Sequence, residues 1–146
     1  MPRVRRSALL PYSAQQIFEL VNDIERYPQF LPWCSEARIV ATAADYRDAQ
    51  LTILKGRLSE RFTTRNVAVP PNSIQMHLVD GPFRRLDGLW RFTSLGDVGC
   101  KVELELDFEL SKALIQKTLG GLFAHATGTM VDAFCVRARA VYGAAA

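Results

Sequence analysis

The spacing of apolar residues changes three times along the chain. Val4 to Leu10 reads as a first strand. Ser13-Ala-Gln-Gln16 then has the form of a capping box, with a glutamine three residues after the cap serine. Ile17, Phe18, Leu20, Val21 and Ile24 follow at helical spacing. The stretch YPQFLPWC, Tyr27 to Cys34, carries two prolines. These forbid a long helix and predict a short helical turn leading into a strand. From about residue 36 to 110 the period is two. The cleanest case sets Val102, Leu104, Leu106, Phe108 and Leu110 against Lys101, Glu103, Glu105, Asp107 and Glu109. One face is apolar and the other charged, which predicts a strand in a sheet with one dry and one wet face. Ile74, Met76 and Leu78 alternate in the same way, as do Leu86, Gly88, Trp90 and Phe92. Turn residues separate the runs at Pro70-Pro71-Asn72, at Asp80-Gly81-Pro82 and around Gly96, Asp97 and Gly99.

After Leu110 the period returns to 3.6. Ser111 is the expected cap and Gly143 the expected stop. Steps of 100° place Ile115, Leu119, Leu122, Phe123, Ala126, Met130, Ala133, Phe134 and Val141 on one face. Such a helix spans roughly 45 Å. The opposite face carries Lys117, Gly121, Ala124, Gly128, Asp132, Cys135 and Arg139. Its small residues predict packing against a second subunit or a bound partner. The element order is a strand, one or two short helices, about six antiparallel strands and one long helix. Laying that helix across the apolar face of a curved sheet dries both. The fold class is therefore α+β, a helix-grip arrangement with a sheet of about 6–7 strands in one domain over residues 1–146. Short helices holding the sheet open at one end predict an elongated apolar cavity.

Composition narrows the choice. The 146 residues are 49 % apolar and only 23 % charged, which excludes a disordered chain. The net charge of +3 does not by itself imply strong non-specific binding to nucleic acid. Three widely spaced cysteines, Cys34, Cys100 and Cys135, make neither a disulfide framework nor a zinc knuckle. Free thiols in a reducing cytosol are expected. The N-terminal basic residues precede too short an apolar patch for a signal peptide, and no apolar run is long enough to span a membrane. A cytoplasmic location follows as the expectation, with the inner-membrane surface as a peripheral one.

Several stretches taken in order resemble a known family. They are RRSALLPYSA (Arg5 to Ala14), LVNDIERYPQFLPWC (Leu20 to Cys34), RFTTRN (Arg61 to Asn66), LVDGPFRRLDGLWRF (Leu78 to Phe92), LDFE (Leu106 to Glu109) and MVDAFCVRARAVY (Met130 to Tyr142). Together they resemble the START-like, Bet v 1-like family of the polyketide cyclase/dehydrase superfamily. It contains the coenzyme Q-binding proteins and the RatA-type ribosome association toxins. The resemblance implies the helix-grip fold. Its quinone branch implies binding of ubiquinone or a similar prenyl lipid in support of respiration. Its toxin branch implies binding to the 50S subunit and a block on its joining into 70S ribosomes. The wider superfamily adds a cyclase-like enzyme as a third reading.

The residues themselves favour binding over catalysis. No nucleophile elbow, Walker loop, dinucleotide fingerprint or His-Glu-x-x-His is present. His77 sits on a polar strand face and His125 off the apolar stripe. The acidic row of Glu103, Glu105, Asp107 and Glu109 falls on the wet face, away from any pocket that could raise a pKa. No catalytic residue, no metal ligand and no required cofactor is therefore expected. The candidate cavity lining is Phe62, Met76, Trp90, Phe92, Leu104, Leu106 and Phe108 from the sheet, facing Leu119, Phe123, Met130 and Phe134 from the helix. Alternation alone is equally satisfied by a filled core. Glu60 and Thr64 share strand parity with Phe62, so Glu60 is either at the sheet margin or a polar anchor. Arg137 falls on the helix stripe and is expected to reach the rim and pair there. Tyr27, Phe30 and Trp33 are candidates for a cavity mouth or a partner surface, against the alternative of a plug in the core. Phe83, Arg84 and Arg85 read as an apolar tip flanked by cations, suited to an anionic membrane or ribosomal RNA.

Overall fold

The computed structural model describes residues 3–112 and 119–143. Strand β1 (Arg3–Leu10) leads to helix α1 (Ala14–Asn22) and a 3₁₀ turn (Ile24–Gln29). Six strands follow: β2 (Cys34–Thr42), β3 (Arg47–Lys55), β4 (Leu58–Val69), β5 (Ser73–Asp80), β6 (Phe83–Ser94) and β7 (Cys100–Leu110). Helix α2 (Gly121–Tyr142) completes the fold. The capping box forms as expected: Gln16 N–H donates to Ser13 Oγ at 3.1 Å, and Ser13 N–H donates to Gln16 Oε1 at 2.9 Å. Pro28 lies inside the 3₁₀ turn, where the two prolines predicted a short helical piece.

All seven strands join one curved antiparallel sheet in the order β1-β7-β6-β5-β4-β3-β2. Consecutive strands from β2 to β7 pair by hairpins, and β1 closes onto β7. Alternation along β7 is complete, with Val102, Leu104, Leu106, Phe108 and Leu110 all buried. The β4–β5 turn passes through Pro70–Pro71, which are joined by a cis peptide bond.

Helix α2 lies on the inner face. Phe134 packs edge-on to Trp90 and to Tyr27, each at 5.4 Å between ring centres, and Phe123 packs on Phe108 at 4.7 Å. The helix expected from Ser111 is described from Gly121 onward, preceded at 119–120 by helical backbone widened to the π form. Ile115 and Lys117 lie outside the described residues. Val141 departs from expectation: it is exposed. The stripe drifts by this point, and Tyr142 makes the terminal contact instead. Its ring sits 5.7 Å from that of Tyr12, and its hydroxyl donates to the Gln16 carbonyl at 2.7 Å. The small-residue face of α2 is partly taken by the chain itself. Arg6 of β1 donates from Nε to the Gly128 carbonyl at 3.1 Å.

Candidate functional site

Between sheet and helix lies a cavity of about 60 Å³. Helix α2 contributes Phe123, Thr127 and Met130 to its wall. The sheet contributes Ala49, Leu51, Phe62, Thr64, Asn66, Met76, Leu86, Trp90, Leu104 and Leu106. Ile24, Tyr27 and Trp33 close it from the 3₁₀ turn and the segment after it. The cavity sits where two packed clusters meet. One gathers α1, the 3₁₀ turn, Trp90, Phe92 and Phe134; the other gathers Phe62, Phe83, Phe108, Leu119 and Phe123. Trp33, Leu51 and Met76 touch both. Gly88, between Met76 and Leu106 in register, leaves room for them: a methyl group there would collide with Met76 Cε.

Of the candidate lining residues, Phe62, Met76, Trp90, Leu104, Leu106, Phe123 and Met130 line this cavity. Phe92, Phe108, Leu119 and Phe134 do not; they are buried core. Their parity is right, but they lie at the two ends of the inner face, where aromatic rings interlock. Phe92 meets Phe18 edge-on at 5.8 Å, and Phe108 is covered by Phe83 and Phe123. The expected elongated cavity is thus short, well below the roughly 300–1,000 Å³ of drug-sized ligand sites.

Three polar side chains reach the cavity. Thr64 Oγ1 donates to Asn66 Oδ1 at 2.8 Å, and Thr127 Oγ1 donates to the Phe123 carbonyl at 2.8 Å. Thr64 was legible from its parity with Phe62; Asn66 continues that parity and could have been read the same way. Thr127 follows Phe123 by one helical turn but carries no apolar signal. Glu60 is not an anchor in the cavity: it is half-buried near the start of β4, opposite Ile53. Tyr27 lines the inner wall, and its hydroxyl donates to the Val21 carbonyl. Burial raises its pKa far above the usual tyrosine range, so the phenol stays neutral.

The proposed mouth divides. Tyr27 and Leu31 are buried core, Phe30 packs on Phe134 at 5.2 Å, and Trp33 is half-buried at the cavity edge. Arg137 does not line the cavity. It reaches the rim as expected, donating to Gln29 Oε1 at 2.9 Å and lying 5.0 Å over the Phe30 ring. Phe83 is not an exposed tip. It is buried, with its ring 5.6 Å from Phe62 and 4.9 Å from Phe123. The apolar tip that pointed to a membrane surface is therefore not formed.

Arg84 and Arg85 face acids of β7: Arg84 meets Glu109 at 3.2 Å and Arg85 meets Asp107 at 2.8 Å. Arg5 on β1 meets Glu105 at 2.9 Å. The acidic row is thus flanked by arginines on both sides, which is the wet face expected of it. Arg38, Arg57, Arg91 and Arg139 are exposed and make no ion pair among the described residues. Arg38 and Arg91 share the outward face of the sheet by strand alternation. His77 is also outward and meets Asp87 at 3.3 Å; His125 is exposed. Among the described residues no group of three or more His, Cys, Asp or Glu could hold a metal ion, and no helix is long and apolar enough to cross a membrane.

Comparison with known proteins fits this architecture. Residues 10–135 match the family described as polyketide cyclase/dehydrase and lipid transport. The chain belongs to this START-like family. The ribosome association toxin RatA of Pseudomonas aeruginosa is 53 % identical over 140 residues, covering 96 % of this chain and 97 % of that protein. A mitochondrial coenzyme Q-binding protein COQ10 homolog B of Xenopus laevis is 27 % identical, covering 94 % of this chain and 58 % of that one. Among solved structures, an 18 kDa protein of Caulobacter crescentus is 34 % identical, with a TM-score of 0.77 over 99 % of this chain and all of that one. The Zhui aromatase/cyclase of Streptomyces sp. R1128 shares the fold at a TM-score of 0.83, covering 96 % of this chain and 95 % of that one, with 17 % identity. The START-like scaffold is thus common to proteins named as toxins, quinone binders and cyclases. Several proteins with the toxin name are 46 % or more identical to this chain.

Proposed function

We propose that this protein acts on the bacterial ribosome in the cytoplasm, binding the 50S subunit and hindering its joining into 70S particles. The observation that carries the reading is likeness along almost the whole chain, at 53 % identity, to a protein named ribosome association toxin RatA. No catalytic step is part of the proposal. Exposed arginines on a folded scaffold suit RNA phosphates, and Arg38 and Arg91 have no acid to leave. Co-sedimentation with purified 50S subunits tests this. If two phosphates are neutralised, affinity falls about tenfold between ~50 and ~200 mM salt. Absence of protein from the 50S fraction at low salt overturns the reading.

A second reading is favoured by the cavity. An almost wholly apolar space between sheet and helix suits a hydrophobic ligand, and a ubiquinone-like prenyl lipid is the candidate. At about 60 Å³ the cavity must widen to admit an isoprenoid chain, and Met76 and Met130 in its wall are the deformable side chains. Native mass spectrometry of protein from its own host tests it. A prenyl quinone near one per chain supports the carrier reading; an empty protein opposes it.

A further inference from the structure

We infer that Asn66 is a polar anchor in the cavity, selecting a neutral, largely apolar ligand that carries a hydrogen-bond acceptor such as a carbonyl. The inference rests on the reading of the cavity as a ligand site. Asn66 is buried in β4 and lines the cavity. Thr64 Oγ1 occupies its Oδ1 at 2.8 Å and so fixes the amide plane. The Nδ2 donors on the other side of that amide have no protein partner among the described residues. That side of the amide is not sealed off, and an acceptor on a ligand in the cavity would give its donors a partner.

The rest of the wall defines the remainder of the ligand. Trp90, Met76, Leu104 and Leu106 offer apolar surface. Among the described residues no Lys, Arg or His lines the cavity, so a carboxylate would be buried there without a counter-ion. Among the described residues the ionisable group in the wall is the Tyr27 phenol, which is neutral and already donates to the Val21 carbonyl. A fatty-acid anion is therefore excluded in favour of an uncharged ketone, quinone, ester or ether.

Both tryptophans of the chain, Trp33 and Trp90, line the cavity, so their indole N–H resonances report occupancy. The test titrates full-length protein with three small-ring probes: cyclopentanone, methylcyclopentane and cyclopentanecarboxylate. In the wild type the ketone and the hydrocarbon shift the indole signals and the carboxylate at neutral pH does not. Asn66→Leu weakens cyclopentanone roughly three- to tenfold, the worth of one hydrogen bond, and leaves methylcyclopentane within about twofold. Thr64→Val, which frees the amide, weakens cyclopentanone in the same direction and carries the test if Asn66→Leu does not fold. Equal effects on ketone and hydrocarbon, or no effect of either variant on the ketone, overturn the anchor while leaving the cavity reading standing. If neither uncharged probe moves the indole signals of the wild type, the cavity reading itself fails and the anchor falls with it.

Discussion

Asp48 illustrates how single residues carry this fold. It is buried on β3, and Arg65 of β4 grips it with two hydrogen bonds of 2.9 and 3.1 Å while stacking 3.9 Å over Tyr46. The guanidinium bonds hold the Asp48 carboxyl below its usual pKa. A carboxyl that is more acidic when folded stabilises the protein above its unfolded pKa, about 3.9, and loses that contribution as pH falls through the folded value. Asp48→Asn should therefore lower stability at neutral pH, and the gap to wild type should close below about pH 4 in denaturant melts. Phe83 makes a second prediction. Its ring is enclosed by Phe62, Phe108 and Phe123, so Phe83→Ala should cost about 3–5 kcal/mol in chemical unfolding. A loss under about 1 kcal/mol would mean that the ring is not enclosed. At this scale the sequence misled at Phe83 because an aromatic between a Gly-Pro turn and two arginines looks exposed. The register shift between Phe83 and Arg85 turns the ring inward and leaves the arginines outside. Cys34 is equally hidden, its thiol pushed up to about 11 by burial, so it should alkylate slowly at neutral pH.

At the scale of elements, the strands with strict alternation were the legible ones. Strand β7 was readable residue by residue because each side chain opposes a partner on one face or the other. Strands β2 to β4 were legible only as a region of period two. Register shifts between Cys34 and Glu36, between Ile39 and Ala41 and between Thr63 and Thr64 break their pattern, and Phe62, Thr63 and Thr64 are buried in succession. Helix α2 shows the converse. Its small-residue face suggested a partner, and part of that partner is β1 of the same chain, through Arg6 on Gly128. Arg6→Ala should remove about 1 kcal/mol in thermal or urea unfolding without altering the cavity. An unchanged melting curve would show that the contact holds nothing. The cavity was legible in its apolar centre but not in its length, because alternation reports which face a residue takes and not whether rings meet across it.

For the whole molecule, charge placement matters more than net charge. The arginines that the turn made conspicuous, Arg84 and Arg85, are paired with Glu109 and Asp107, whereas Arg38 and Arg91 make no ion pair among the described residues. Reversing Arg84 and Arg85 places new acids beside Glu109 and Asp107 and strains the sheet as well as any RNA contact. Arg91 stands opposite Glu103 in register without pairing it, so neutralising Arg38 and Arg91, rather than reversing them, breaks no ion pair, sets no acids face to face and separates binding from folding. The double variant Arg38→Gln, Arg91→Gln should keep the wild-type melting temperature within about 2 °C and weaken 50S binding about tenfold. The measurement that bears most directly on the account is subunit joining itself. Purified 30S and 50S subunits are mixed at joining magnesium concentration with increasing protein, and the products are resolved by sedimentation. The account predicts a 70S peak that shrinks as protein is added, with the protein in the 50S fraction. An undiminished 70S peak, with no protein on the 50S subunit, would contradict it.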